Sequence, residues 1–241
     1  MKLLVSVQNA DEVSAALQGG ADILDVKQPA AGALGMAAPE TLQQIAAIVR
    51  RHYPTIPLSA ALGELRDWAS DTHSDPSTIP AEFRYLKTGL SETLGWDNWK
   101  QKWRDLAEEF QPARSWVTVA YADAVRCNSP DPLLLVETAI AARSPVFLID
   151  TWQKDESCLL DWCSAELLLQ IRRKTAAAGI QLALAGQLRS QHLNEIARTA
   201  PDIVAVRGAV CDSENRSAGI CVERVRELSV RLHVLQQQSS P

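Results

Sequence analysis

The segment that decides the fold is Asp22-Ile-Leu-Asp-Val-Lys-Gln-Pro-Ala-Ala-Gly-Ala-Leu-Gly35. It begins as a short apolar strand and breaks at Pro29 into a loop rich in glycine and alanine, which puts Lys27 at the carboxyl end of the strand. Side chains alternate between the two faces of a strand, so Asp25 and Lys27 share one face. In parallel α/β folds the chemistry lies at the carboxyl ends of the strands. The segment therefore indicates either a functional site or an ion pair that only stabilises a strand end.

The rest of the chain repeats this alternation of strands and helices. Short apolar runs predict strands at Leu3–Val7, Ile23–Lys27, Leu58–Leu62, Phe83–Gly89, Trp116–Tyr121, Val146–Asp150, Leu182–Ala185 and Ile203–Arg207. Apolar residues at three- and four-residue spacing predict helices at Asp11–Gln18, Thr41–Arg51, Trp96–Phe110, Pro132–Ala142, Leu159–Ala178, Arg189–Thr199 and Cys221–Gln236. Such βα units form a parallel sheet with right-handed crossovers.

Eight strands in 241 residues are close to the ~250 residues typical of a (β/α)8 TIM barrel. We therefore predict a single α/β barrel domain over residues 1–235, followed by a frayed tail at 236–241. The alternative is an open doubly wound sheet, but no strand is followed by a G-x-G-x-x-G turn. The segment Glu64–Pro80 is irregular and predicts a loop or a short broken helix.

Composition excludes several classes of function. The net charge is -5, and no run rich in Lys and Arg offers a basic surface to nucleic acid. The apolar runs are too short for a membrane span, and the first residues enter a strand without a secretory pattern. The five cysteines are odd in number and lack C-x-x-C spacing, which is typical of reduced thiols. We expect a cytoplasmic protein with no nucleic-acid or membrane partner.

Charged residues recur at the predicted strand ends. They are Asp25, Lys27, Lys87, Asp123 and Asp150, with Lys154 four residues beyond the sixth strand. Burying such charges costs several kcal/mol each unless they are paired or functional, so we predict that this cluster is a catalytic site. Lys27 and Lys87 are two candidates for an amine nucleophile, because a neighbouring cation or burial lowers the pKa of a lysine. The alternative is that one lysine pairs with Asp25 or Asp150 and only holds the barrel mouth together.

The last two strand ends predict a phosphate site. The seventh strand ends in Ala185-Gly186-Gln187 and the eighth in Arg207-Gly208. Loops at these places bind phosphate in many barrels, with glycine letting the backbone approach and arginine supplying a planar set of donors. Gly186, Gln187, Arg207 and Gly208 are the candidate residues.

Other features predict structural roles. His52, His73, His192 and His233 are scattered without metal-ligand spacing, so no metal site is predicted. Trp96, Trp99 and Trp103 have helical spacing and predict a packed helix face. The alternative for this face is a contact between subunits of a homo-oligomer.

Six motifs occur in an order that resembles one enzyme family. They are Asp25-Val-Lys-Gln-Pro29 followed by Gly32-x-x-Gly35, Leu86-Lys-Thr-Gly-Leu90, Tyr121-Ala-Asp-Ala124, Leu148-Ile-Asp-Thr151, Leu184-Ala-Gly-Gln-Leu188 and Val206-Arg-Gly-Ala-Val-Cys211. From Leu3 to about Cys221 the chain resembles the (5-formylfuran-3-yl)methyl phosphate synthases, also called 4-(hydroxymethyl)-2-furancarboxaldehyde-phosphate synthases, of methanofuran biosynthesis.

The resemblance implies a (β/α)8 lyase that joins two molecules of glyceraldehyde 3-phosphate with loss of phosphate and water. It implies no metal or organic cofactor. It places the Schiff-base lysine at Lys27 and the proton acceptor at Lys87, with Asp150 and Lys154 assisting proton transfers. Two alternatives remain open: a Schiff-base aldolase or isomerase of sugar phosphates, and a barrel that binds a phosphorylated metabolite without catalysis.

Overall fold

The strands form one parallel sheet. The computed structural model describes residues 1–68, 76–110 and 114–239. Its strands are β1 (Lys2–Val7), β2 (Ile23–Val26), β3 (Leu58–Glu64), β4 (Phe83–Gly89), β5 (Ser115–Trp116), β6 (Thr118–Tyr121), β7 (Val146–Asp150), β8 (Gln181–Leu184) and β9 (Ile203–Val206). They are ordered β5-β4-β3-β2-β1-β9-β8-β7-β6.

The two ends of this order belong to the same extended segment. Only Val117 separates β5 from β6, and its N–H donates to the carbonyl of Leu86 on β4 at 2.8 Å. The sheet therefore closes into a barrel with eight strand positions, as the alternation of strands and helices predicts.

Helices connect the strands around the outside of the barrel. They are α1 (Asp11–Gln18), α2 (Pro39–His52), α3 (Leu65–Trp68), α4 (Trp99–Glu109), α5 (Pro132–Ala141), α6 (Leu159–Trp162), α7 (Ala165–Ala177), α8 (Leu193–Arg198) and α9 (Val222–Ser239). Local chemistry sets several of their ends. The Asp131 carboxylate accepts from Leu133 N–H ahead of Pro132, and the Ser164 hydroxyl accepts from Leu167 N–H, as side-chain caps do.

The core has two layers, because successive side chains of a strand point to opposite faces. Leu24 and Val26 of β2 belong to the outer cluster, together with apolar side chains of the helices. Ile23 of the same strand belongs to the cluster inside the barrel, where β8 and β9 contribute the small residues Ala183 and Ala205. Small interior residues leave space for a cavity at the carboxyl ends of the strands.

Two predicted helices are interrupted. The helix predicted over Leu159–Ala178 is broken into α6 and α7, because Cys163 is extended and Ser164 caps a new helix. The helix predicted over Arg189–Thr199 begins as a 3₁₀ turn at Ser190–His192 and becomes α-helical only at Leu193.

The segment predicted to be irregular and the predicted tail both contain helical structure where they are described. Within Glu64–Pro80, α3 and a 3₁₀ turn at Pro76–Thr78 are present, whereas residues 69–75, including His73, lie outside the described residues. The last helix runs to Ser239, beyond the predicted end at Gln236, and the final two residues of the expected tail are outside the described part.

The tryptophan series forms the predicted packed face. Trp99 and Trp103 of α4 are buried, and the Trp103 ring packs edge-on against Trp116. Trp96 precedes the helix and is half-buried.

All five cysteines are free thiols. In the described part of the chain, no helix combines the length and the apolar character that crossing a membrane requires.

Candidate active site

A pocket opens at the carboxyl ends of the strands. Most predicted site residues line it, namely Asp25, Lys27, Lys87, Asp150, Lys154, Gly186, Gln187, Arg207 and Gly208. Asp123 is not among the described residues that line it, and Arg189, Glu214 and Arg216 line it without having been predicted. Strand alternation brings the lysines and carboxylates together from residues far apart in sequence.

Lys87 forms a buried ion pair with Asp25. Its Nζ donates to the Asp25 carboxylate and, at 2.7 Å, to Ser59 Oγ. The second carboxylate oxygen of Asp25 accepts from Ser6 Oγ at 3.2 Å. Buried charges are stabilised when they are paired and hydrogen-bonded in this way. Asp25 therefore pairs with the lysine of β4 and not with Lys27 on its own strand.

Lys27 is in a different electrostatic environment. Its buried Nζ donates to the carbonyl of Ala33 at 3.3 Å, and no carboxylate of the described residues forms a salt bridge with it. The pKa of Lys27 is lowered to about 8, chiefly by burial; Lys154 and Arg216 also lower it, whereas the charges of Asp150 and Asp25 raise it. Lys27 is thus a buried amine with a pKa close to neutrality. The depressing cations are Lys154 and Arg216, where the sequence had suggested Lys87.

Asp150 and Lys154 form the second ion pair of the pocket. Their charged groups are 2.7 Å apart, and Lys154 Nζ also donates to Thr151 Oγ1 at 3.2 Å. Burial by itself would raise the pKa of Asp150, but Lys154 and Lys27 outweigh it, so the pKa lies below its ordinary value. Asp150 is therefore a buried carboxylate placed between two lysines.

Asp123 holds a loop instead of lining the pocket. Its fully buried carboxylate accepts from the backbone N–H groups of Trp152 at 2.6 Å and Gln153 at 2.9 Å. These two residues directly precede Lys154. Asp123, which the sequence predicts as a catalytic residue, thus bonds in this structure to the loop that carries Lys154.

The N–H donors of Arg207 all bond to other residues of the protein. Its five N–H donors bond to the carbonyls of Arg216, Ser6 and Ala218 and to both carboxylate oxygens of Glu12. An arginine has five donors in all, so none is left for a phosphate in this arrangement. Arg207, which the sequence predicts as a phosphate ligand, thus forms a buried ion pair with Glu12 in this structure and anchors the loop after β9.

Arg216 is the cation that the same loop presents to the pocket. It is half-buried, and Nη2 lies 3.3 Å from Pro29 O and 3.4 Å from Gly32 O. Burial lowers its pKa, and Asp150 acts in the opposite direction. Guanidinium groups remain charged in proteins. Arg216 thus supplies a cation to the pocket that Gly186 and Gly208 also line.

The β8 end takes a left-handed backbone. Gly186 has φ +96°, and a Cβ there would lie 3.0 Å from Thr151 Cγ2, so glycine allows the β7 loop to approach. Gln187 follows with φ 51°, and its side-chain amide donates to Ser157 O. The side chain predicted to touch phosphate instead ties two loops together.

Sequence reasoning missed Arg216, Glu12, and a pair formed by Glu64 and Tyr121. Arg216 lies in a loop with no periodic pattern, and the only available signal was its position shortly after the last strand.

Among the described residues, no group of three or more His, Cys, Asp or Glu side chains is arranged to hold a metal ion.

Comparisons with known proteins place this geometry in context. The profile of a family described as 4-HFC-P synthase matches residues 3–229. A protein of Methanosarcina mazei named (5-formylfuran-3-yl)methyl phosphate synthase is 32% identical over 239 residues, covering 95% of this chain and 97% of the relative. A protein of the same name from Methanocaldococcus jannaschii is 30% identical over 240 residues, covering 95% and 98%.

Solved structures show the fold. The 3-hexulose-6-phosphate synthase of Salmonella typhimurium has a TM-score of 0.65 at 19% identity, covering 98% of this chain and 100% of that one. The phosphoribosyl anthranilate isomerase of Thermus thermophilus has a TM-score of 0.61 at 14% identity, with the same coverage. At such identities the similarity is one of fold alone.

Proposed function

The chain belongs to the 4-HFC-P synthase family, and we propose that it joins two molecules of glyceraldehyde 3-phosphate to give (5-formylfuran-3-yl)methyl phosphate for methanofuran biosynthesis. The product is the one for which the relatives are named. The atom balance of two triose phosphates against this product requires one phosphate and two waters to leave. The site must therefore hold phosphate, activate a carbonyl and move several protons.

The observation that carries this proposal is the environment of Lys27. An ordinary lysine is almost entirely protonated at neutral pH and is a poor nucleophile. With its pKa lowered to about 8 by burial, about one Lys27 side chain in ten is a neutral amine at pH 7. Lys87 and Lys154 each bond to a carboxylate, so Lys27 is the best placed of the three to attack a carbonyl carbon.

In the proposed first step the Lys27 amine adds to the aldehyde carbon and the carbonyl oxygen leaves as water. The resulting iminium withdraws electrons from the adjacent carbon and acidifies its C–H bond. We assign the removal of that proton to the Lys87–Asp25 pair acting as one unit: the carboxylate takes up a proton and the ammonium donates one to a substrate oxygen. The enamine then attacks the carbonyl carbon of the second triose.

The Asp150–Lys154 pair has the geometry to serve the eliminations. Lys154 already donates to Asp150 and Thr151, so it can pass a proton to a departing hydroxyl or phosphate oxygen while Asp150 receives one from carbon. We assign the phosphate that is retained to Arg216 and to the backbones of Gly186 and Gly208, because Arg207 is occupied by Glu12. Planar guanidinium groups suit phosphate oxygens.

The experiment is reductive trapping. The folded protein is incubated with glyceraldehyde 3-phosphate and borohydride, digested with trypsin and analysed by mass spectrometry. An adduct on Lys27 blocks cleavage there, so residues 3–27 remain joined to residues 28–50 and carry the added triose. Lys27→Arg should abolish both adduct and turnover with an unchanged circular dichroism spectrum, whereas Lys100→Arg, on the exposed side of α4, should behave as wild type.

Two results would contradict the proposal. Near-normal turnover by Lys27→Arg would refute covalent catalysis at this residue. An adduct on Lys27 without the near-ultraviolet absorbance of a furan aldehyde would indicate a sugar-phosphate aldolase or isomerase, because a ketose phosphate lacks that chromophore.

A further inference from the structure

A second buried acid–base pair lies at the same end of the barrel. Tyr121, at the end of β6, is 1% exposed, and its hydroxyl donates to Glu64 Oε1 at 2.6 Å. The other carboxylate oxygen of Glu64 accepts from Ser91 N–H at 2.9 Å. Glu64 itself is half-buried at the end of β3. The pair therefore connects the barrel interior to a carboxylate that retains contact with solvent.

Tyr121 and Asp150 are neighbours on the inner face of the barrel. Tyr121 belongs to the cluster inside the barrel, and its register partner on the adjacent strand is Asp150. Register partners in a parallel sheet have side chains on the same face, with strands roughly 4.8 Å apart. The negative charge of Asp150 also acts on Tyr121, after the larger effects of burial and Glu64, and together they raise the phenol pKa well above its ordinary value.

Backbone geometry makes room for this pair. A Cβ at Gly89 would lie 2.2 Å from both Tyr121 Oη and Glu64 Oε2, closer than any real contact. Gly63, with φ +80°, precedes Glu64 at a shift in the β3–β4 register, which turns this strand end. Lys87, in the Asp25 pair, is two residues before Gly89 on the same strand.

We propose that Glu64 and Tyr121 form a proton relay between solvent and the reaction cavity. The phenol hydroxyl donates to Glu64 in this structure. When Glu64 takes a proton from solvent, the hydroxyl turns to donate its own proton toward Asp150, and its oxygen accepts the proton of Glu64. The phenol remains neutral throughout, and one proton enters for each one delivered. This inference rests on the proposed function, because loss of one phosphate and two waters requires repeated proton transfers at a buried site.

Other ionisable groups act on the same pair. Cys127, whose pKa burial raises to about 12, acts on Tyr121 together with Asp150. Asp123 and Glu92 act on Cys127 in turn. Because several groups share this region, the test compares rate constants at one pH.

The test compares Tyr121→Phe, Glu64→Gln and the double variant with wild type, using glyceraldehyde 3-phosphate as substrate. Tyr53→Phe, at the end of α2, is the matched control for loss of a phenol hydroxyl. We expect each single variant to lower kcat at least about tenfold, with little change in KM. This loss is smaller than the roughly 10²–10⁴-fold of direct general acid–base catalysis, because Asp150 and Lys154 stay in place. The double variant should lose no more than the worse single variant, because both remove the same relay.

A second readout separates the relay from packing. Borohydride trapping on Lys27 should proceed in the variants as in wild type, since amine addition precedes the eliminations, and the solvent deuterium isotope effect on kcat should change. A purely structural pair would lower the melting temperature and leave the isotope effect unchanged. If Tyr121→Phe does not fold, the test uses Glu64→Gln, because Glu64 is partly exposed and glutamine has the same shape.

The outcomes are distinct. Single variants with kcat within roughly threefold of wild type, or losses that multiply in the double variant, would overturn the relay and leave the proposed function intact. A wild-type protein that forms no furan aldehyde would refute the proposed function and, with it, the relay.

Discussion

The low pKa of Lys27 should be measurable as a cost in stability. Lys27→Met removes the charge and keeps an apolar side chain of similar length in the same buried place. In the folded protein the pKa of Lys27 is about 8, whereas its ordinary value is 10.5. The unfolded chain therefore holds the proton more tightly than the folded chain, and the wild type is destabilised at any pH where the amine is charged.

The magnitude follows from these two pKa values. Each pKa unit corresponds to 1.36 kcal/mol, so the charged amine destabilises the folded wild type by about 3 kcal/mol at pH 7. The penalty disappears as pH rises from 8 toward 10.5, and about 1 kcal/mol remains at pH 10. Between pH 7 and pH 10 the wild type should therefore gain about 2 kcal/mol relative to Lys27→Met.

The assay is urea denaturation of both proteins at several pH values from 7 to 10. The free energy of unfolding is extrapolated to water at each pH, and the difference between wild type and variant is plotted. The slope of this difference is informative, because the loss of side-chain contacts by the substitution contributes equally at every pH. Ionisable groups that are present in both proteins contribute equally to the two free energies of unfolding, so their contributions cancel in the difference.

Lys100→Met serves as the control, because it makes the same substitution at an exposed position on α4. The reasoning would be refuted if the curves for wild type and Lys27→Met ran parallel from pH 7 to pH 10. Lys27 would then keep an ordinary pKa in the folded protein, and the supply of neutral amine for a Schiff base would have no basis.

Three further predictions concern the neighbouring residues. Arg216→Met should raise KM at least about tenfold with an unchanged melting temperature, since it removes a charged phosphate contact; normal KM would contradict the phosphate assignment. Arg207→Met should instead lower the melting temperature by about 10 °C, because leaving the buried Glu12 carboxylate unpaired costs about 3–5 kcal/mol. Asp123→Asn should destabilise the protein by about 1–3 kcal/mol, since the N–H groups of Trp152 and Gln153 bond to different oxygens and an amide has only one, and should lower kcat by displacing Lys154. Urea denaturation and steady-state kinetics check this, and an unchanged kcat would show that the loop holds its position without Asp123.

The sequence predicted the barrel because its signals are local. Apolar residues with strand or helix periodicity identify the elements, and strand alternation puts Asp25 and Lys27 on the inward face. The same alternation puts Lys87 and Asp150 at the same end of the barrel, as the lining of the pocket shows. The boundaries of α6 and α7 were missed because the break at Cys163 leaves little trace in the apolar pattern.

Partners within the site could not be predicted in the same way. Asp25 pairs with a lysine 62 positions away and not with the lysine two residues along its own strand. Arg207 bonds to Glu12, 195 positions away, which changes it from a candidate ligand contact into an anchor. The Asp123 carboxylate accepts hydrogen bonds from two backbone N–H groups of the next βα loop. Each choice depends on loops that approach only after the barrel has closed.

The sequence by itself thus determined the fold class, the face on which each strand residue lies and the end of the barrel at which the charges gather. Those properties follow from periodicity, which is fixed by backbone geometry over a few residues. Only the tertiary structure decided which lysine lacks a carboxylate among the described residues, which arginine faces the pocket and that Tyr121 meets Glu64. Hydrogen bonds and ion pairs act over about 3 Å, so they are decided by contacts between distant segments that no local pattern encodes.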